Sequence, residues 1–143
     1  LKKGGNVIGI IPSLLKKEEV VNKNVTELII TKTMSERKVM MSKLTDGYIS
    51  LPGGFGTLDE LFEGLTLGQL HIEQKPNGIL NINGFFNHTL KQLDHMVSEG
   101  YLKKGNKEML LVGTNVSELM LKMDAYIAPK KSAVINKIIK HDH

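Results

Sequence analysis

The chain has no cysteine, 5% aromatic residues and, against eighteen lysines, one arginine. Without cysteine there can be no disulfide, no thiolate metal ligand and no thiol nucleophile, a composition that fits an intracellular protein. No apolar run approaches the roughly 20 residues of a membrane helix, and no signal peptide is visible, so a cytoplasmic location with no membrane partner is expected. The net charge is +4, carried by scattered lysine pairs such as Lys16-Lys17, Lys103-Lys104 and Lys130-Lys131. They are not interleaved with aromatics, so no nucleic-acid surface is expected, although a mild positive field suits a small anionic substrate. His71, His88 and His95 lack ligand spacing with any carboxylate cluster, and nothing marks a Schiff-base lysine. Neither a metal nor a cofactor is expected. At 143 residues, 41% of them hydrophobic, the chain is long enough to bury one core and reads as a single domain.

What is present is concentrated in Leu51-Pro-Gly-Gly-Phe-Gly-Thr-Leu-Asp-Glu60. A short apolar run ends in glycines at 53, 54 and 56, and Thr57 opens a helical pattern. Glycines permit positive φ and let backbone N–H groups approach a ligand without Cβ obstruction. A helix N-terminus behind such a loop attracts an anion, most simply a phosphate. The spacing is neither a Walker A loop nor G-x-G-x-x-G. Thr57-x-x-Glu60 also has the form of a capping box, as does Thr33-x-x-Glu36. For Glu36 the cap is the expected role, whereas Glu60 could serve either as a cap or in catalysis.

The lone arginine, Arg37, lies in Thr33-Met-Ser-Glu-Arg-Lys38. Its isolation suggests a position that needs a planar guanidinium, able to hold phosphate or carboxylate in two-pronged fashion.

Continuous apolar runs alternate with helical patterns along the chain. Strands are expected at Val7 to Ile11 before Pro12, Glu27 to Thr31, Tyr48 to Leu51, Gly78 to Ile82 and Met109 to Val112. Ser13 to Asn24 reads as a loop with helical turns. Helices are expected from Met34 to Leu44, with Met34, Met40, Met41 and Leu44 inward, and from Leu58 to about Gln69. Two more are expected from Phe85 to Ser98, with Leu90, Leu93 and Val97 inward, and from Val116 to Tyr126 behind an Asn115 cap. The tail from about Pro129 has helical spacing and is expected to fray. This order indicates an α/β protein with a mainly parallel sheet covered by helices on both faces. Ligands in such sheets sit beyond the carboxyl ends of the strands, where the Gly53 loop would lie.

Together M-x-E-R-K and P-G-G-x-G-T-x-x-E resemble the paired signature of the LOG (Lonely guy) family, whose members often carry the label lysine decarboxylase. Gly5-Asn-Val-Ile-Gly-Ile-Ile-Pro12, Thr66-Leu-Gly-Gln-Leu70, Lys75-Pro76 and Gly78-Ile-Leu-Asn-Ile-Asn-Gly-Phe-Phe86 extend the resemblance. It implies a Rossmann-like fold and hydrolysis of the N-glycosidic bond of adenine-type nucleoside 5′-monophosphates, whether cytokinin ribotides or AMP. It implies Arg37 and Glu60 as catalytic residues. Lys38, Gly53, Gly54, Phe55, Gly56, Thr57, Asp59 and Thr66 follow as substrate-binding residues, and a homodimer or larger assembly is implied. Ser35 replaces the family's usual histidine, Leu67 its tryptophan, and His71-Ile72-Glu73 its Gly-Ile-His. Family members also begin with a strand, a helix and a second glycine-rich loop that do not appear here. The chain therefore reads as the C-terminal two-thirds of such a protein, with its first strands missing. A non-catalytic nucleotide- or cofactor-binding protein of the same fold, or an inactive remnant, remains open at this level.

Overall fold

A computed structural model describes residues 1–15 and 24–130. Most of the expected helical turns between Ser13 and Asn24, and nearly all of the tail after Pro129, lie outside these residues. The chain divides into two compact units, Leu1–Thr45 and the segment from Asp46 onward. Each is taken by itself.

In the first unit, β1 (Ile8–Pro12) and β2 (Glu27–Thr31) pair in parallel, from Ile8 opposite Glu27 to Pro12 opposite Thr31. Helix α1 (Met34–Leu44) packs against both strands. Its start is fixed by its own side chains. Thr33 Oγ1 accepts from the Glu36 N–H at 3.1 Å, and the Glu36 carboxylate accepts from the Lys32 N–H at 2.7 Å. The capping role expected of Glu36 therefore holds, although its carboxylate reaches the residue before the cap. The expected inward face does not hold. Met34 and Leu44 are exposed, while Arg37, Lys38, Met40 and Met41 are half-buried. The Arg37 Nε–H donates to the Ile10 carbonyl of β1 at 3.0 Å, which turns the side of α1 bearing Arg37, Met40 and Met41 toward the strands. Ile8, Leu28 and Ile30 remain exposed on this two-stranded sheet.

The second unit holds a parallel sheet of order β3-β4-β5, formed by Tyr48–Ser50, Asn77–Leu80 and Leu110–Gly113. Helix α2 (Phe55–Gln69) connects β3 to β4. Helix α3 (Asn87–Ser98) and one turn of helix, α4 (Lys104–Lys107), connect β4 to β5, and α5 (Val116–Asp124) follows β5. All of β4 is buried, and its alternation reveals two covered faces. Ile79 packs with Leu61 of α2, Phe86, Leu93 of α3 and Leu110 in one cluster. Gly78 turns the other way, where a Cβ would meet Leu119 Cδ1 of α5 at 2.8 Å. Glycine is what lets α5 lie this close. The layered α/β arrangement expected from the sequence is the one observed.

Two boundaries moved for local reasons. Helix α3 begins at Asn87 rather than Phe85 because Asn83 and Gly84 take left-handed φ of 50° and 72°. Asn81, buried, then holds the turn: its Oδ1 accepts from the Phe86 N–H at 2.8 Å and its Nδ2 donates to Asn87 Oδ1 at 2.9 Å. Helix α4 was not expected, since Lys-Gly-Asn-Lys carries no apolar period.

Candidate active site

The chain leaves β3 at Ser50 and enters α2 at Phe55, two residues earlier than the sequence suggests. Gly54 is the N-cap, with no side-chain cap bond. The first intrahelical bond runs from the Leu58 N–H to the Gly54 carbonyl at 3.2 Å. The N–H groups of Phe55, Gly56 and Thr57 thus have no acceptor within the helix and face the positive end of its dipole. Gly53, Gly54 and Gly56 all avoid positive φ, so backbone conformation is not the reason for glycine here. At Gly53 the reason is packing, because Thr57 Oγ1 folds back onto the space a Cβ would need. At Gly54 and Gly56 a Cβ would meet nothing within 4 Å. Neither φ nor packing calls for glycine at those two positions, which leaves unobstructed access to the backbone from outside as its effect.

Since α2 begins at Phe55, Thr57 is its third residue and cannot be the N-cap of a capping box with Glu60. That reading of the motif is overturned. Glu60 is half-buried one turn into α2, and Asp59 beside it is exposed. Successive helical residues diverge by about 100°, so the two carboxylates do not form a dyad. Thr66 lies nine residues beyond Thr57, about 13 Å along the axis, and its hydroxyl donates to the Phe62 carbonyl at 2.7 Å. The structure thus gathers Gly53, Gly54, Gly56, Thr57 and the Phe55 N–H at the start of α2, places Glu60 just behind them, and sets Thr66 apart.

Helices α1 and α5 fill their own N-termini, which α2 does not. At α5, Asn115 Oδ1 accepts from the Glu118 N–H at 2.9 Å. The Glu118 carboxylate accepts from the Thr114 N–H and hydroxyl, each at 2.8 Å, and from Lys122 Nζ at 2.6 Å. The Lys122 bond first, then the two from Thr114, bring the Glu118 pKa from 4.5 to about 2.

In the first unit, Arg37 and Lys38 are consecutive, half-buried residues in the first turns of α1. The bond from Arg37 Nε to Ile10 fixes the plane of the guanidinium, which a lysine at this position could not reproduce. Ser35 is exposed.

Several residues escaped the sequence reading. His71, where the related motif carries glycine, is left-handed at φ 57° just past α2, with its N–H on the Gly68 carbonyl at 3.0 Å. The motif's own glycine was the available signal. Glu73, in place of a histidine, accepts from the Tyr48 hydroxyl at 2.8 Å, and Lys75 lies 3.7 Å from Glu73 and 5.8 Å from the Tyr48 ring centroid. This cluster sits at the start of β3, the end away from the glycine loop. Among the described residues no group of three or more His, Asp or Glu side chains could hold a metal, and no helix is long and apolar enough to cross a membrane.

Comparison with known proteins agrees with this geometry. A family model described as "Possible lysine decarboxylase" matches residues 1–123. The cytokinin riboside 5′-monophosphate phosphoribohydrolase LOG5 of Arabidopsis thaliana is 40% identical over 134 residues, covering 94% of this chain and 58% of the relative. The LOG enzyme of the same description from Oryza sativa subsp. japonica is 40% identical over 124 residues, covering 87% of this chain and 51% of the relative. LOG3 of Arabidopsis is 39% identical over 135 residues, 94% of this chain and 62% of its own length. The chain thus spans between half and two thirds of the length of these relatives. With the family model covering most of its residues and both motifs in place, the chain belongs to the LOG family.

Proposed function

We propose that this chain carries part of the active site of a phosphoribohydrolase that cleaves the N-glycosidic bond of adenine-type nucleoside 5′-monophosphates. The observation that carries the reading is the start of α2, an uncapped helix N-terminus bared by Gly54 and Gly56, with Glu60 one turn behind. The substrate phosphate sits on the N–H groups of Phe55, Gly56 and Thr57, with the Thr57 hydroxyl as a further donor. Breaking the bond from C1′ to the base nitrogen leaves the electron pair on the base and positive charge on the ribosyl ring. A carboxylate at Glu60 stabilises that charge and accepts a proton from the water that attacks C1′. The products are free base and ribose 5-phosphate. Arg37 and Lys38 enter through the M-x-E-R-K motif, Arg37 as the second catalytic residue and Lys38 as a phosphate or ribose contact. Asp59 and Thr66 follow the motif as weaker binding candidates. The names of the relatives favour N6-modified cytokinin ribotides as substrates, with plain AMP as the competitor. A homodimer acting in the cytoplasm completes the reading.

The test is incubation of the protein with isopentenyladenosine monophosphate, AMP and the corresponding nucleosides, followed by chromatography for free base and ribose 5-phosphate. Base should appear from a nucleotide and not from its nucleoside, because the phosphate is what the glycine loop holds. If neither nucleotide releases base, the hydrolase assignment fails.

A further inference from the structure

Helix α2 has more apolar surface than its own unit covers. One side, with Leu61, Gly64 and Gly68, is buried against the sheet. A second side carries Phe55, Leu58, Phe62, Leu65, Thr66 and Gln69, and none of these is charged. Phe55 is 94% exposed. All three charges of the helix, Asp59, Glu60 and Glu63, are acidic and fall outside this stripe. A helix apolar on two sides needs two partners.

Beside the stripe lies a cavity of about 220 Å³, with Phe62, Leu65, Leu93, Met96, Leu102 and Leu110 among its walls and Thr66 and Gln69 on the α2 side. An apolar cavity of roughly 150 Å³ accommodates benzene, so this one has room for a phenyl ring.

Phe55, Phe62 and Gln69 are seven residues apart, about 10 Å along the axis and on nearly one line. If two copies of α2 cross antiparallel with Phe62 on a two-fold axis, position 55 of one helix faces position 69 of the other. That brings the exposed phenyl of each copy to the other's cavity. Pairing through the opposite side would set acid against acid. We infer that the apolar stripe of α2 is a self-association surface on which Phe55 of each copy enters the α2–α3–α4 cavity of the other. The inference rests on the homodimer reading above and gives it a surface. It also ties assembly to the glycine loop, because the residue inserted is the first of the helix whose N–H groups form that loop's anion site.

Sedimentation of the protein and of four variants tests this, with circular dichroism confirming that each is folded. The unaltered protein should sediment as a dimer at micromolar concentration. Phe55→Ala removes the guest ring and Met96→Trp fills the cavity from within; each should weaken the dimer at least tenfold. Leu121→Ala, an exposed position on α5, should leave it unchanged. The protein has no cysteine, so Phe62→Cys introduces one thiol at the proposed axis, and mild oxidation should link two copies. A strict monomer overturns the inference together with the homodimer reading. A dimer that withstands Phe55→Ala and is not linked through Phe62→Cys keeps the homodimer and overturns this surface. Base release from a nucleotide is a separate readout, so the failure of either surface or chemistry is recognised independently.

Discussion

Replacing one carboxylate oxygen of Glu60 with an amide nitrogen preserves shape and removes charge. Because α2 begins at Phe55, Glu60 has no capping duty to lose. Glu60→Gln should therefore leave the melting temperature near normal while turnover falls by roughly a hundredfold or more, as expected when a charge-stabilising base is removed. Thermal denaturation and nucleotide turnover on the same preparation check it. Arg37→Lys makes the complementary case, since charge is kept and shape is lost. An ammonium cannot donate to the Ile10 carbonyl while presenting a planar fork, so kcat/KM should drop on the order of tenfold or more, about 1.4 kcal/mol per decade. A silent Arg37→Lys would make Arg37 a structural residue. The motifs made both residues legible in the sequence. The Ile10 anchor was not legible, because a carbonyl 27 residues away becomes a partner only once β1 and α1 pack.

The elements tell a similar story about what local pattern can carry. Strand β2 and helix α1 occur at their expected bounds because apolar runs and the Thr33 cap are local signals. The start of α2 was misplaced because Gly-Gly-Phe-Gly reads as loop, yet glycines are tolerated in a first turn held by the packing farther down the helix. The end of α2 is under strain at His71, whose Cβ sits uneasily at φ 57°. His71→Gly should raise stability by about 1 kcal/mol, read as a higher denaturation midpoint. Helix α5 offers a pH signature. The folded pKa of Glu118, about 2, lies below the ordinary 4.5, so its contribution is complete above pH 4.5 and disappears as pH falls toward 2. Melting temperatures from pH 7 to 2 should show an acid decline that Glu118→Gln flattens.

At the scale of the molecule, burial is divided unevenly. Every buried large apolar side chain of the described residues, from Leu61 to Leu119, belongs to the unit that begins at Asp46. In the first unit only Pro12 and Thr31 are buried, and Ile8, Leu28 and Ile30 on its two strands stay exposed. The sequence could not reveal this, because Val-Ile-Gly-Ile-Ile and Glu-Leu-Ile-Ile-Thr are as apolar as the strands that form the core. Apolar periodicity reports the capacity to be buried, while the burial achieved depends on what packs against each face. Local opening is resisted mainly by buried apolar contacts, so protection should follow this division. In hydrogen exchange, the amides of β4 and β5 should outlast those of β1 and β2 by at least tenfold, with β4, covered on both faces, the slowest. Uniform protection across all five strands would mean that the first unit gains stability from contacts its own residues do not supply, and the exposed faces of Ile8, Leu28 and Ile30 would be the first place to look for them.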